Sequence, residues 1–175
     1  ANSISVDPDL HLFRRLYPVE IEPILSAALG NKNKLFFTDD DPTHFKTFGN
    51  NVTESEVAIH PTQDISSQNK NSLPIILNLK ELPAFLTERI QVNDETITIG
   101  GKEYPKSGHT FILTGKNWNG FKNMLAIISN DLESLPRIGQ LVPHYGKYSF
   151  LVFKGAKNVG KGQWAVKDSP LKKVF

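Results

Sequence analysis

The chain has no cysteine in 175 residues. That excludes a thiol nucleophile, a thiolate zinc site and a disulfide framework. Charge of one sign is also lacking. Twenty Lys and Arg face eighteen Asp and Glu, a net +2, so bulk electrostatics draw the chain neither to nucleic acid nor to an anionic membrane. The tightest basic groups, Arg14–Arg15, Lys154/Lys157/Lys161 and Lys172–Lys173, have no aromatic stacking platform interleaved and read as solvated faces. No apolar run approaches the roughly 18 residues of a membrane-spanning helix. The first residues, Ala1-Asn2-Ser3, include no signal peptide and no initiator Met, as expected of a mature terminus or of a piece cut from a longer chain.

What remains fits one domain, long enough to bury a core without staples. Residues 1–33 read as a lead-in segment, with an apolar cluster at Leu10, Leu12, Phe13 and Leu16. A helix follows from Pro18 to Leu29, bent or interrupted at Pro23 and ended by Gly30. Residues 34–175 read as the α/β domain proper. Strands are expected at Leu35–Thr38, Val57–Ile59, Pro74–Leu79, Phe111–Leu113, Met124–Ile128 and Tyr148–Phe153. Helices are expected near Thr43–Phe48, from Asn78 or Lys80 to Ile90, and from Leu132 to Val142, the last with capping-box spacing at Asn130 and Glu133. Ile97, Ile99 and Tyr104 flank Gly100-Gly101 and predict a hairpin. After Gly155 the tail, rich in Gly and Lys, is expected to wrap the surface, pinned by Trp164. The alternation of strand and helix predicts a Rossmann-like three-layer α/β sandwich, with a mostly parallel sheet and one inserted β-hairpin.

Few motifs carry chemistry. Gly155 to Lys161 matches G-x-x-x-x-G-K after an apolar strand, but Gly162 stands where a magnesium-binding hydroxyl belongs, and no helix pattern follows. A Gly/Lys surface turn is the better account. His11, His44, His60, His109 and His144 show no metal-ligand spacing. Asp39-Asp40-Asp41-Pro42 beside His44 reads as a turn and helix cap before a cation site. Neither Ser107 nor Ser149 sits in a nucleophile motif. Asn51-Val52-Thr53 fits the glycosylation pattern, a common chance match. The most unusual run is Pro143-His144-Tyr145-Gly146-Lys147-Tyr148. His144, Tyr145, Lys147 and Tyr148 are the candidate ligand-binding residues. The competing reading is a helix end at a left-handed Gly146 with two tyrosine rings on the core. No catalytic residue, metal ligand or cofactor site is expected.

Two stretches carry a resemblance. One is Asp9-Leu-His-Leu-Phe13-Arg14-Arg15-Leu16-Tyr17-Pro18-Val-Glu20-Ile21. The other is Leu141-Val-Pro-His144-Tyr145-Gly146-Lys147-Tyr148-Ser149-Phe150-Leu151-Val152-Phe153, with Asn158, Lys161-Gly162-Gln163-Trp164 and Ser169-Pro170-Leu171 after it. Together they resemble the C-terminal region that follows the catalytic part of exported bacterial proteins of the aminopeptidase N-like (gluzincin) class. That family's H-E-x-x-H helix, downstream Glu and Gly-rich exopeptidase motif are not in this sequence, so no catalytic residue carries over. The resemblance implies a non-catalytic accessory or interaction domain, periplasmic or secreted, whose partner is a peptidase domain of the same parent protein. Two rivals from other classes stand beside it. One is a stand-alone extracytoplasmic protein binding a small ligand at the carboxyl ends of its strands, lined by the loops after Thr38, Leu79, Thr114 and Ser129. The other is a hydrolase assembled in space from Asp39, His44 and His144.

Overall fold

A computed structural model describes residues 3–5, 15–167 and 169–174. The elements in chain order are β1 (Ser3–Ser5), α1 (Leu25–Leu29), β2 (Lys34–Phe37), α2 (Pro42–Thr53), β3 (Ile59–His60), β4 (Leu73–Leu77), α3 (Ala84–Thr87) and β5 (Ile90–Val92). Then come β6 (Thr96–Ile99), β7 (Lys102–Pro105), β8 (His109–Trp118), β9 (Phe121–Ser129), α4 (Leu135–Leu141), β10 (Phe150–Lys154), β11 (Lys157–Gly162) and β12 (Lys172–Val174). The expected apolar cluster at Leu10, Leu12 and Phe13 lies outside the described residues.

Seven strands form the central sheet in the order β11-β10-β8-β9-β4-β2-β3. Each strand sends alternate side chains to opposite faces, and this alternation makes two cores. Phe36, Ile75, Ile112, Leu125, Ile127, Leu151 and Phe153 face a layer built from α1, α2 and α4, where Leu25, Phe45, Phe48, Leu135 and Ile138 are fully buried. Phe37, Ile76, Phe111, Leu113, Met124, Ala126 and Val152 face the other way, toward Leu86 of α3, Trp164 and the antiparallel sheet β5-β6-β7. That small sheet docks through Ile97, Ile99 and Tyr104.

The expectation of a Rossmann-like, mostly parallel sheet is overturned. Only β9-β4-β2-β3 is parallel; β11-β10-β8-β9 is antiparallel throughout. A parallel neighbour needs a crossover of a dozen residues or so, whereas two residues suffice to reverse a strand. Asn119-Gly120, at φ +47° and +81°, joins β8 to β9. A turn at Ala156, after Gly155 at φ +54°, joins β10 to β11. The expected hairpin is present at Gly100-Gly101, but its two strands join β5 in the separate small sheet and do not enter the main one.

Two of the expected helices are shorter than their apolar patterns, whereas α2 runs longer than the expected Thr43–Phe48. Pro23 carries no N–H and ends the first attempt at a helix, so a 3-10 turn at Pro18–Glu20 gives way to extended chain before α1 starts at Leu25. The 80–90 helix reduces to α3, because Pro83 precedes it and Ile90 already belongs to β5. The Asn130/Glu133 capping box does not form. Asp131 occupies the cap position and accepts from Ser134 Oγ at 2.6 Å.

Candidate functional site

His144 to Tyr148 follow α4 as a single 3-10 turn, Val142–Tyr145, and a bend. His144 and Lys147 are exposed, while Tyr145 and Tyr148 are half-buried against the helical core. The two tyrosine rings lie 6.2 Å apart, and Tyr145 meets Phe153 edge-on at 6.1 Å. The Lys161 ammonium stands 5.4 Å from the Tyr145 centroid and 5.1 Å from that of Tyr148, and Lys147 stands 5.3 Å from Tyr148. These cations occupy the ring faces that a cationic ligand would use.

The backbone of the run has its own task. Ser26 N donates to the Gly146 carbonyl and Leu25 N to the Tyr148 carbonyl, each at 2.8 Å. The first amides of a helix lack partners within it, and here the run supplies them to α1. Gly146 is not left-handed, as a helix-ending glycine would be. It sits at φ −51° and ψ −32°. Glycine is needed there for closeness, since a Cβ would lie 3.0 Å from Ser26 Cβ.

Asp39, Asp40 and Asp41 diverge to three different partners. Asp39 accepts from the amide and hydroxyl of Thr62, which hold its carboxyl below the usual range. Asp40 accepts from Asn78 Nδ2 at 2.8 Å. Asp41 caps α2, accepting from Thr43 N at 2.9 Å and Thr43 Oγ1 at 2.6 Å, and its pKa is lowered for the same reason. Among the described residues no group of three or more His, Cys, Asp and Glu is placed to hold a metal. No hydrogen bond or ion pair among the described residues joins Asp39, His44 and His144 to one another.

The carboxyl ends of β2, β4 and β9 do converge, but on each other. Asn78, at φ +50°, donates to the Ser129 carbonyl at 3.1 Å and accepts from Ser129 N at 2.8 Å. Ser129 Oγ meets Thr110 Oγ1 at 2.7 Å. Thr114 is elsewhere, mid-strand in β8 opposite Leu125. Its hydroxyl lies 2.9 Å from the Pro23 carbonyl and 2.8 Å from that of Ser149, and its carbonyl accepts from Trp164 Nε1 at 2.9 Å. The Gly155–Lys161 loop is the β10–β11 hairpin, with no helix to aim at a phosphate. In the glycosylation pattern, Asn51 Nδ2 donates to the Pro136 carbonyl at 2.7 Å.

One concavity is a place that sequence reasoning missed. It is a cleft of about 620 Å³ between the segment Pro18–Pro23, a 3-10 turn followed by extended chain, and the β8–β9 ribbon. Glu22 and Lys116 of its lining belong to a largely buried charge cluster with Arg89. Glu22 Oε1 is 3.1 Å from Arg89 Nη2 and 3.5 Å from Lys116 Nζ, with the Glu22 and Arg89 side chains only 8% and 7% exposed. Arg89 stacks on Phe85, its guanidinium carbon 3.7 Å from the ring centroid. Glu22 Oε2 and Arg89 Nε make no hydrogen bond to the described residues. The three charged residues are 27 or more positions apart in sequence, so no local spacing announces them. No protein-family model matches the chain, and no curated protein matches it.

Proposed function

We propose that this chain is a non-catalytic accessory domain of an exported, periplasmic or secreted, zinc aminopeptidase-like protein. One observation carries the reading: the two stretches that bear the resemblance, far apart in sequence, meet in space. Ser169 Oγ donates to Glu20 Oε1 at 2.6 Å, across 149 residues of chain. Glu20 is buried, and its Oε2 also accepts from Tyr17 N at 2.9 Å. The Gly146 and Tyr148 carbonyls serve α1 just beyond the first stretch. Residues that answer to one another in this way behave as the internal joints of one folded unit, so the His144–Tyr148 run is a structural signature rather than a site.

The reading has two tests. Purified protein, with or without zinc, is expected to leave aminoacyl-nitroanilide substrates intact. Chelator-sensitive hydrolysis that follows the chain through purification would overturn the non-catalytic assignment. The encoding reading frame is expected to carry an H-E-x-x-H segment upstream; a frame that starts at this domain would overturn the association with a peptidase.

A further inference from the structure

We propose that the cleft between Pro18–Pro23 and the β8–β9 ribbon binds an aliphatic monocarboxylate, with its hydrocarbon body on the proline-rich wall and its carboxylate between Lys116 and Lys122. The volume, about 620 Å³, is in the range of small-molecule sites. One wall is apolar: Val19, Ile21, Pro23 and Ala27 line it. Val19 is 43% exposed and Ile21 57%, so this wall presents large aliphatic side chains to water with nothing upon them among the described residues. The facing wall is cationic. Arg89 and Lys116 share the one Glu22 carboxylate, at 3.1 and 3.5 Å, so this cluster carries one cation in excess, and Lys122 has no carboxylate partner among the described residues.

Lys116 is held in place. Its ammonium donates to the Ile21 carbonyl at 3.1 Å and lies 3.5 Å from Glu22 Oε1. An ammonium has three protons, and the third has no acceptor among the described residues. Lys122 makes no hydrogen bond or ion pair to them at all. A fixed, largely buried cation beside a free one, opposite an aliphatic wall, is complementary to a ligand with one anionic end and one apolar end. An amine of the same shape would meet the two lysines as like charge.

The test is an amide-resolved NMR titration of the labelled protein with sodium octanoate below its micellar range, with octylamine and 1-octanol as comparison probes. Octanoate is expected to give saturable shifts at Val19, Ile21, Asn117 and Asn123, and octylamine to bind at least about tenfold more weakly. Lys122→Met is expected to weaken octanoate roughly five- to tenfold and to leave octanol within about twofold. Ile21→Ser, at an exposed position that does not threaten the fold, should weaken both. Equal binding of octylamine, shifts away from the cleft, no saturation, or indifference to Lys122→Met would each overturn the proposal.

Discussion

Tyr145 and His144 are neighbours in the chain with opposite fates. The Tyr145 ring packs edge-on to Phe153 and beside Tyr148, whereas His144 is exposed and makes no hydrogen bond to the described residues. Removing a packed ring forfeits its transfer energy and leaves a void; removing an exposed imidazole does neither. Tyr145→Ala is therefore expected to cost about 2–4 kcal/mol, and Tyr148→Ala a similar amount. His144→Ala should stay within about 0.5 kcal/mol of the parent. Urea unfolding of the three variants measures this. If all three fold as stably as the parent, the run is a surface site and its packing role is refuted.

Helices α2 and α4 cross where Gly139 faces Phe48. A Cβ on Gly139 would sit 2.6 Å from the Phe48 carbonyl oxygen and 3.1 Å from its Cα. Both are backbone atoms, so the strain can be relieved only by moving a helix. Gly139→Ala is expected to destabilise by about 1–3 kcal/mol, although alanine favours helix, with a lower urea midpoint as the readout. Gly146→Ala should cost less, because its Cβ would meet only the short Ser26 side chain. How far such elements were legible in the sequence followed from the kind of signal. Six strands of the main sheet were readable from their apolar runs, and the Gly100-Gly101 turn from its dipeptide. Strand β11 was not, because Lys157–Gly162 has no apolar run and reads as a Gly/Lys surface turn, yet it pairs with β10 as the sheet's rim. Asn119-Gly120 carries an equally strong hairpin signal, yet it lies between Trp118 and Phe121 and was not read as a turn; from that omission the mostly parallel sheet followed. Helix lengths depart from the apolar pattern at Pro23 and Pro83, whereas Pro42 and Pro136 fall in the first turns of α2 and α4, where proline is tolerated. The cleft and its Glu22–Arg89–Lys116 cluster were not legible, because three distant segments had to meet before the charges became neighbours.

At the scale of the whole molecule, the segment around Pro23, the middle of β8 and the chain after β11 meet at one point. Trp164 packs tilted against Phe150 at 5.1 Å, edge-on to Phe85 at 6.5 Å, and donates its indole N–H to Thr114, whose hydroxyl reaches the Pro23 carbonyl. Trp164→Ala is expected to cost about 3–5 kcal/mol. Its distinguishing sign is distant: amide exchange should accelerate at residues 21–25 as well as at 163–167, whereas Trp164→Phe should preserve most of the ring packing. Acceleration confined to the tail would refute the coupling. The two rims of the main sheet have a consequence for the protein in crowded solution. One rim is β3, two residues long, and the other is β11, with Lys157 and Lys161 exposed and a register shift where it pairs with β10. Short, charged and irregular rims offer a second molecule little to template upon, so the long apolar strands within are shielded from edge-to-edge polymerisation into fibrils.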